Sequence, residues 1–165
     1  MMLPYTEKDV CMGLDLLEKR FQEYAKAHPE NIERIRTIAR EVARVQTEIR
    51  QHFDGITCRI CPDCNVSCCK MMPVDGWFTE NDYFVYRVLH EAPFDIRAAR
   101  GEGEGCRFLG PEGCLLPLDI RPFPCVKVNC AALVEELEKS GDNEKVNTLI
   151  EEMDALQKQI WPLLK

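Results

Sequence analysis

The chain has 165 residues and a mass of 19.0 kDa, of which 45% are hydrophobic and 30% charged. This composition excludes wholesale disorder and fits one domain of ordinary size. The 21 basic and 28 acidic residues give a formal net charge of −7, so the chain lacks the positive field that attracts nucleic acid or anionic lipid. We therefore expect neither nucleic acid nor a membrane as a partner.

The beginning of the chain predicts a cytoplasmic protein. Glu7, Lys8, Asp9 and Asp15 fall where a signal peptide needs an unbroken apolar stretch. No apolar run approaches the roughly 18 to 20 residues of a membrane-spanning helix.

Residues 1–53 predict an N-terminal helical hairpin with a break at His28-Pro29, where proline suits a first helical turn. Thr6 is the candidate cap of the first helix, with Asp9 as its capping-box acid. The apolar stripe of the first helix is Val10, Leu14, Leu17, Phe21 and Tyr24; that of the second is Ile32, Ile35, Ala39, Val42, Val45, Ile49 and Phe53. We expect the two stripes to pack against each other.

The composition changes over residues 54–130, which hold seven of the nine glycines, seven of the ten prolines and nine of the ten cysteines. Such a segment builds little core of its own, and metals or cross-links are the usual substitute. Thr79 to Asp82 reads as a capping box before one short helix that Pro93 closes. Residues 106–109 and 114–116 predict a small β-hairpin, with its turn at 110–113.

Residues 131–165 predict C-terminal helices broken at Ser140-Gly141, with Asp142 capping the second helix, which continues to Pro162. The expected fold is therefore mainly α. A helical bundle formed by the N- and C-terminal helices surrounds an irregular, cysteine-rich metal-binding segment with a small β-hairpin, and the three segments together form one structural domain.

The cysteines of residues 58–68 have the spacing C-x2-C-x2-C-x3-C, which bacterial ferredoxins use for iron-sulfur clusters. A loop with a thiolate at every third residue can reach several corners of a cubane cluster without backbone strain. Zinc favours two C-x2-C knuckles from distant segments, and either Cys58-x2-Cys61 or Cys61-x2-Cys64 can form one of them. This spacing is the strongest signal in the chain, and it favours an iron-sulfur cluster without excluding zinc.

Clustered thiols in a reducing cytosol hold metal more often than they form disulfides. Cys69 directly follows Cys68, and adjacent side chains diverge, so we expect one to bind the metal and the other to serve a second site or lie buried. At least one further ligand must then come from the distal cysteines. The full candidate ligand set is Cys58, Cys61, Cys64, Cys68, Cys69, Cys106, Cys114, Cys125 and Cys130.

The order of motifs over residues 61–130 resembles the CxxCxxCC family of zinc- or iron-chelating proteins. The matching elements are Cys61-x2-Cys64-x3-Cys68-Cys69, Phe78 to Asp82, Cys106 to Leu109, Gly113-Cys114 and Arg121 to Cys125. The resemblance implies metal ligation by the seven cysteines within these elements and leaves Cys58 and Cys130 as additions. The family's cysteine module also resembles part of flagellin lysine methylases, which implies an accessory role in protein modification as a further alternative.

Arg121 is the candidate cofactor-binding residue outside the cysteines, because a guanidinium can hydrogen-bond thiolate or sulfide and offset negative charge; a surface ion pair is the alternative. His52 and His90 border the cysteine segment and keep a mixed Cys/His site open. The sequence thus predicts a protein with a [4Fe–4S] cluster in a redox or structural role. The alternatives are a zinc-stapled module that binds an unidentified protein partner and a lysine methylase-like accessory protein.

Overall fold

The computed structural model describes residues 7–60, 79–93, 106, 108–110, 113–127 and 130–165. Its helices are α1 (Glu7–Ala27), α2 (Pro29–Ile60), α3 (Glu80–Leu89), α4 (Phe123–Lys127), α5 (Ala131–Ser140) and α6 (Asn143–Ile160). Two short strands, β1 (Leu109–Gly110) and β2 (Gly113–Cys114), and two 3-10 turns, at Leu118–Ile120 and Trp161–Leu164, are also described. The mainly-α prediction is confirmed.

The long helix α2 is the centre of the fold. The predicted break before it is confirmed, because α1 ends at Ala27 and Pro29 is the first residue of α2, where its missing N–H is no loss. The predicted stripe of α2 is buried apart from Ile32, which is partly buried against the same core. The most extensive contact of α2 is with α6, whose buried residues are Val146, Leu149, Ile150, Met153 and Ile160.

The stripe of α1 has further partners besides the predicted one. Phe21 meets Phe84 of α3 edge-on, with ring centroids 5.6 Å apart, so α1 packs against α3 as well as α2. Tyr24 donates a hydrogen bond from its hydroxyl to the carbonyl of Leu163, which joins α1 to the C-terminal 3-10 turn. The expected packing of α1 on α2 is present, and α3 and the C-terminal 3-10 turn add contacts that local periodicity does not reveal.

Helix α3 begins with the predicted capping box. The Thr79 hydroxyl accepts a hydrogen bond from the Asp82 main-chain N–H, and the Asp82 carboxylate accepts one from the Thr79 N–H at 2.7 Å. Near the other end of α3, the Arg36 side chain of α2 donates to the Val88 carbonyl at 3.1 Å. The helix therefore lies with its C-terminal part beside the N-terminal half of α2.

The break between α5 and α6 is confirmed at Gly141, which has φ +80°. The N–H of Gly141 bonds the Glu138 carbonyl, and the N–H of Asp142 bonds the Leu137 carbonyl, which is the hydrogen-bond pattern of a Schellman motif. Two details of the prediction are wrong. The Asp142 side chain does not cap α6, and accepts instead from the Ser140 hydroxyl at 2.9 Å.

The second wrong detail concerns the end of α6. The α-helix stops at Ile160, and the chain continues through Pro162 as a 3-10 turn. Proline is tolerated there because it occupies the first positions of the turn, where its missing N–H breaks no ladder.

The short strands pair antiparallel, with Leu109 opposite Cys114 and Gly110 opposite Gly113. Beyond the strands, the Leu115 N–H donates to the Phe108 carbonyl at 2.7 Å. Residues 111 and 112 of the predicted hairpin turn lie outside the described residues. In the part of the chain that the structure describes, no helix is long and apolar enough to cross a membrane.

Candidate metal centre

The predicted proximal ligands fall mostly outside the described residues. This holds for Cys61, Cys64, Cys68 and Cys69, whose metal-binding role stays a prediction. Cys58 lies in the last turn of α2, because that helix continues past residue 53 to Ile60. The cysteine run therefore begins at the C-terminal end of α2.

The distal cysteines are described, and all four are in the thiol form: Cys106, Cys114, Cys125 and Cys130. Cys106 and Cys114 are half-buried and pack against one small apolar cluster formed by Tyr86, Phe108 and Leu116. Burial raises the pKa of the Tyr86 phenol in this cluster. The structure thus brings two of the predicted ligands together beside α3.

Among the described residues, Arg121 contacts main-chain carbonyls. Its guanidinium donates from Nε to the Leu116 carbonyl at 3.1 Å and from Nη2 to the Cys114 carbonyl at 3.4 Å. In its described contacts, Arg121 therefore binds the main chain next to a candidate ligand, and a bond from its guanidinium to sulfur stays a prediction. It acts as a brace for β2 and the residues that follow.

The carbonyl of Arg121 is itself held by α2. Gln46 Nε2 donates to it at 2.9 Å, and the Gln46 side chain is only 1% exposed. Reasoning from the sequence missed Gln46, although there was a signal: this residue is a polar interruption within the apolar stripe, four positions after Val42 and three before Ile49. A polar residue at such a position has to find a hydrogen-bond partner inside the fold.

Cys125 lies in the short helix α4 and is exposed. Its main-chain N–H donates to the carbonyl of Pro122 at 2.9 Å, and Pro122 is fully buried. The next residue, Val126, is buried in the main core. The backbone of Cys125 is therefore anchored on both sides while its side chain faces outward.

Cys130 is at the N-cap position of α5 and is exposed, with no side-chain capping hydrogen bond. Two ion-pair contacts orient α5 relative to α2. Arg59 contacts Glu136 at 3.2 Å, and His52 contacts Asp142 at 3.3 Å, so the two helices run antiparallel. The N-terminus of α5, and Cys130 with it, therefore lies toward the C-terminal end of α2.

Cys114 and Cys130 are therefore connected to different positions along α2. Cys114 is tied through Arg121 to Gln46, whereas Cys130 lies beyond the level of Arg59. Gln46 and Arg59 are separated by about 20 Å along the helix axis, at about 1.5 Å per residue. We therefore expect Cys114 and Cys130 to serve different metal centres, since each sulfur of a compact centre lies about 2.3 Å from its metal.

The histidines that border the cysteine segment contact carboxylates. His90 Nε2 is 3.0 Å from Asp119 Oδ2, and its ring stacks on Tyr86 with centroids 4.7 Å apart. His52 contacts Asp142. Within the described ranges, no group of three or more His, Cys, Asp or Glu residues is placed to hold a metal ion, so any complete metal centre needs cysteines from elsewhere in the chain.

Comparisons of this chain with protein-family models, with curated proteins and with solved structures found no match.

Proposed function

We propose that this protein holds an iron-sulfur cluster of the [4Fe–4S] type through cysteine thiolates, in a redox or structural role. The observation that carries the proposal is the spacing C-x2-C-x2-C-x3-C from Cys58 to Cys68, in which a thiolate recurs at the intervals used by bacterial ferredoxins. The resemblance to the CxxCxxCC family supports metal binding by the same segment.

The chemistry of the donor set also supports a thiophilic metal. The candidate ligands are thiols, which suit iron-sulfur clusters and zinc rather than magnesium or calcium. His52 and His90 contact the carboxylates of Asp142 and Asp119 through one ring nitrogen each. When bound, the cluster would supply one-electron redox chemistry or a structural cross-link.

The anchoring of the distal segment fits this role. Arg121 and Gln46 brace the main chain at Cys114, and buried Pro122 and Val126 flank Cys125. Thiol ligands on a fixed backbone need less ordering when the metal binds. We place the protein in the cytoplasm, where thiols stay reduced, and its negative net charge argues against a nucleic-acid partner.

Anaerobic purification followed by measurement of iron, acid-labile sulfide and the visible spectrum tests the proposal. We expect a brown protein with iron and sulfide in equal amounts, and we expect Cys64→Ser to lower both. Cys11→Ser is the matched control, because Cys11 is the one cysteine outside the 58–130 segment. A colourless wild-type protein without iron would refute the proposal.

Zinc is the second candidate, supported by one C-x2-C knuckle at either Cys58-x2-Cys61 or Cys61-x2-Cys64, which share Cys61. In this proposal the zinc replaces a missing core, and the helices present a surface to a protein partner. A colourless protein that contains zinc, and whose cysteine segment unfolds on addition of a chelator, would favour this function over the cluster. An accessory role in lysine methylation would further require activity on a lysine-containing protein.

A further inference from the structure

Gln46 borders a small cavity, partly open to solvent, at the junction of α2, α3, α6 and the 118–121 turn. The cavity has a volume of about 30 Å³. Its polar walls are formed by Gln46, Asn81, Asp82, Asp119, Arg121 and Gln157. It lies apart from the small apolar cluster that carries Cys106 and Cys114.

The orientation of the Gln46 amide is fixed by its partner. The Arg121 carbonyl can only accept, so Nε2 of Gln46 must be the group that faces it. Oε1 of Gln46 is then a fully buried acceptor with no hydrogen-bond partner among the described residues. Such an acceptor destabilises a fold by about 1 to 3 kcal/mol unless a donor reaches it.

We propose that the cavity beside Gln46 is a binding site for an internal water molecule that donates a hydrogen bond to Gln46 Oε1. The size of the cavity sets the class of ligand. A water needs at least about 10 to 15 Å³ and two to four polar partners, and this cavity offers both.

The remaining walls can complete the coordination of this water. The carboxylates of Asp82 and Asp119 can accept its second hydrogen, and the amide of Asn81 or Gln157 can donate to its oxygen. The water thereby joins α2 to at least one other wall of the cavity. Gln46 is then satisfied at both ends of its amide, by the Arg121 carbonyl on one side and by water on the other.

Oxygen-17 magnetic relaxation dispersion on the full-length protein counts long-lived internal waters and tests the site. We expect Gln46→Met to lose one such water relative to wild type, because Met keeps the length of the side chain and removes the acceptor. Gln51→Met is the matched control: Gln51 lies exposed on the same helix, and its substitution should leave the count unchanged. An equal count in wild type and Gln46→Met would overturn the proposal.

A second variant covers the case in which Gln46→Met does not fold. Val42 lines the cavity and is buried, so Val42→Ile adds one methyl group toward the same space. If the water is bound, filling the cavity expels it and leaves Oε1 unsatisfied, and the variant is less stable than wild type. An increase in stability would indicate a dry cavity and overturn the proposal, as would a crystal structure that shows a cation beside Oε1.

Discussion

The side-chain amide of Gln46 and the main-chain carbonyl of Arg121 form a hydrogen bond of 2.9 Å across 75 residues of sequence. The guanidinium of Arg121 continues the connection to the carbonyls of Cys114 and Leu116. A buried residue of the central helix is therefore linked through one side chain to the strand that carries a candidate metal ligand. Neither Gln46 nor Arg121 needs to contact the metal to influence the position of that thiol.

Gln46→Met should expose the Cys114 thiol. Loss of the hydrogen bond to Arg121 frees the 118–121 turn, and a net hydrogen-bond contribution of about 0.5 to 1.5 kcal/mol corresponds to a two- to tenfold rise in local opening. Alkylation of the metal-free, full-length protein, followed by peptide mass spectrometry, gives the rate at each cysteine. Cys130 is exposed and distant, so it is the internal control. An unchanged rate at Cys114 would contradict this link.

Arg121→Lys should resemble Gln46→Met in its effect on Cys114. The two donors of Arg121 reach the carbonyls of both Leu116 and Cys114, and a lysine ammonium lacks the rigid fork that bridges them. The same alkylation experiment applies, and Arg40→Lys is the control because Arg40 lies exposed on α2. Equal rates at Cys114 in Arg121→Lys and wild type would show that Arg121 is not the brace.

The features that could be predicted from the sequence depend on residues that are close together in the chain. The capping box at Thr79 and Asp82 and the helix break at Gly141 depend on residues a few positions apart, and the structure confirms them. The buried stripe of α2 follows from its period alone. These elements can be predicted without knowing which residues pack against them.

The features that the sequence did not reveal involve residues far apart in the chain. Gln46 reaches Arg121, and Glu18 reaches Arg87, only after the helices have assembled. Asp142 was a plausible cap, but the structure directs its carboxylate to Ser140 and His52 instead. The cysteine run of residues 61–69 lies outside the described part of the chain, so its prediction still depends on spacing.

Cys114→Ser and Cys130→Ser should have additive effects on metal content. Because Cys114 is tied through Arg121 to Gln46, and Cys130 lies beyond Arg59, about 20 Å further along α2, we expect the two thiols to serve different centres. Each single variant should therefore retain whatever metal the other cysteine helps to hold, and the double variant should lose the sum of the two losses. Elemental analysis of the three variants checks this. Complete loss of metal in both single variants would place the two thiols in one centre.

The ion pair between Glu18 and Arg87 should make stability depend on pH. Burial raises the pKa of Glu18, but hydrogen bonds from Arg87, Tyr83 and Gln22 together with the charge of Arg87 outweigh it, and the net pKa is lowered. The unfolded chain therefore binds a proton more readily than the folded one. The pair's contribution to the free energy of unfolding is complete above the ordinary Glu pKa of 4.5 and is lost as the pH falls through the lower, folded value.

Glu18→Gln measures that contribution. The side chains of Glu18 and Arg87 are 15% and 11% exposed, and loss of a hydrogen bond to a charged group destabilises by about 1.5 to 3 kcal/mol. We expect the deficit in chemical denaturation to be large at pH 7 and to shrink as the pH falls below 4.5. Glu23→Gln is the control, because its pair with Lys19 is exposed and contributes less than about 1 kcal/mol. A deficit that is independent of pH would contradict the assignment.

Replacement of Gly55 and of Gly141 by alanine should change stability in opposite directions. A Cβ atom at either position meets no atom within 4 Å, so steric contact does not distinguish them. Gly55 lies within α2, where Gly→Ala stabilises a helix by about 0.8 to 1 kcal/mol. Gly141 has φ +80°, a left-handed conformation that costs an alanine about 1 to 2 kcal/mol. Urea denaturation of the two variants gives both signs, and a stabilising Gly141→Ala would contradict the left-handed cap between α5 and α6.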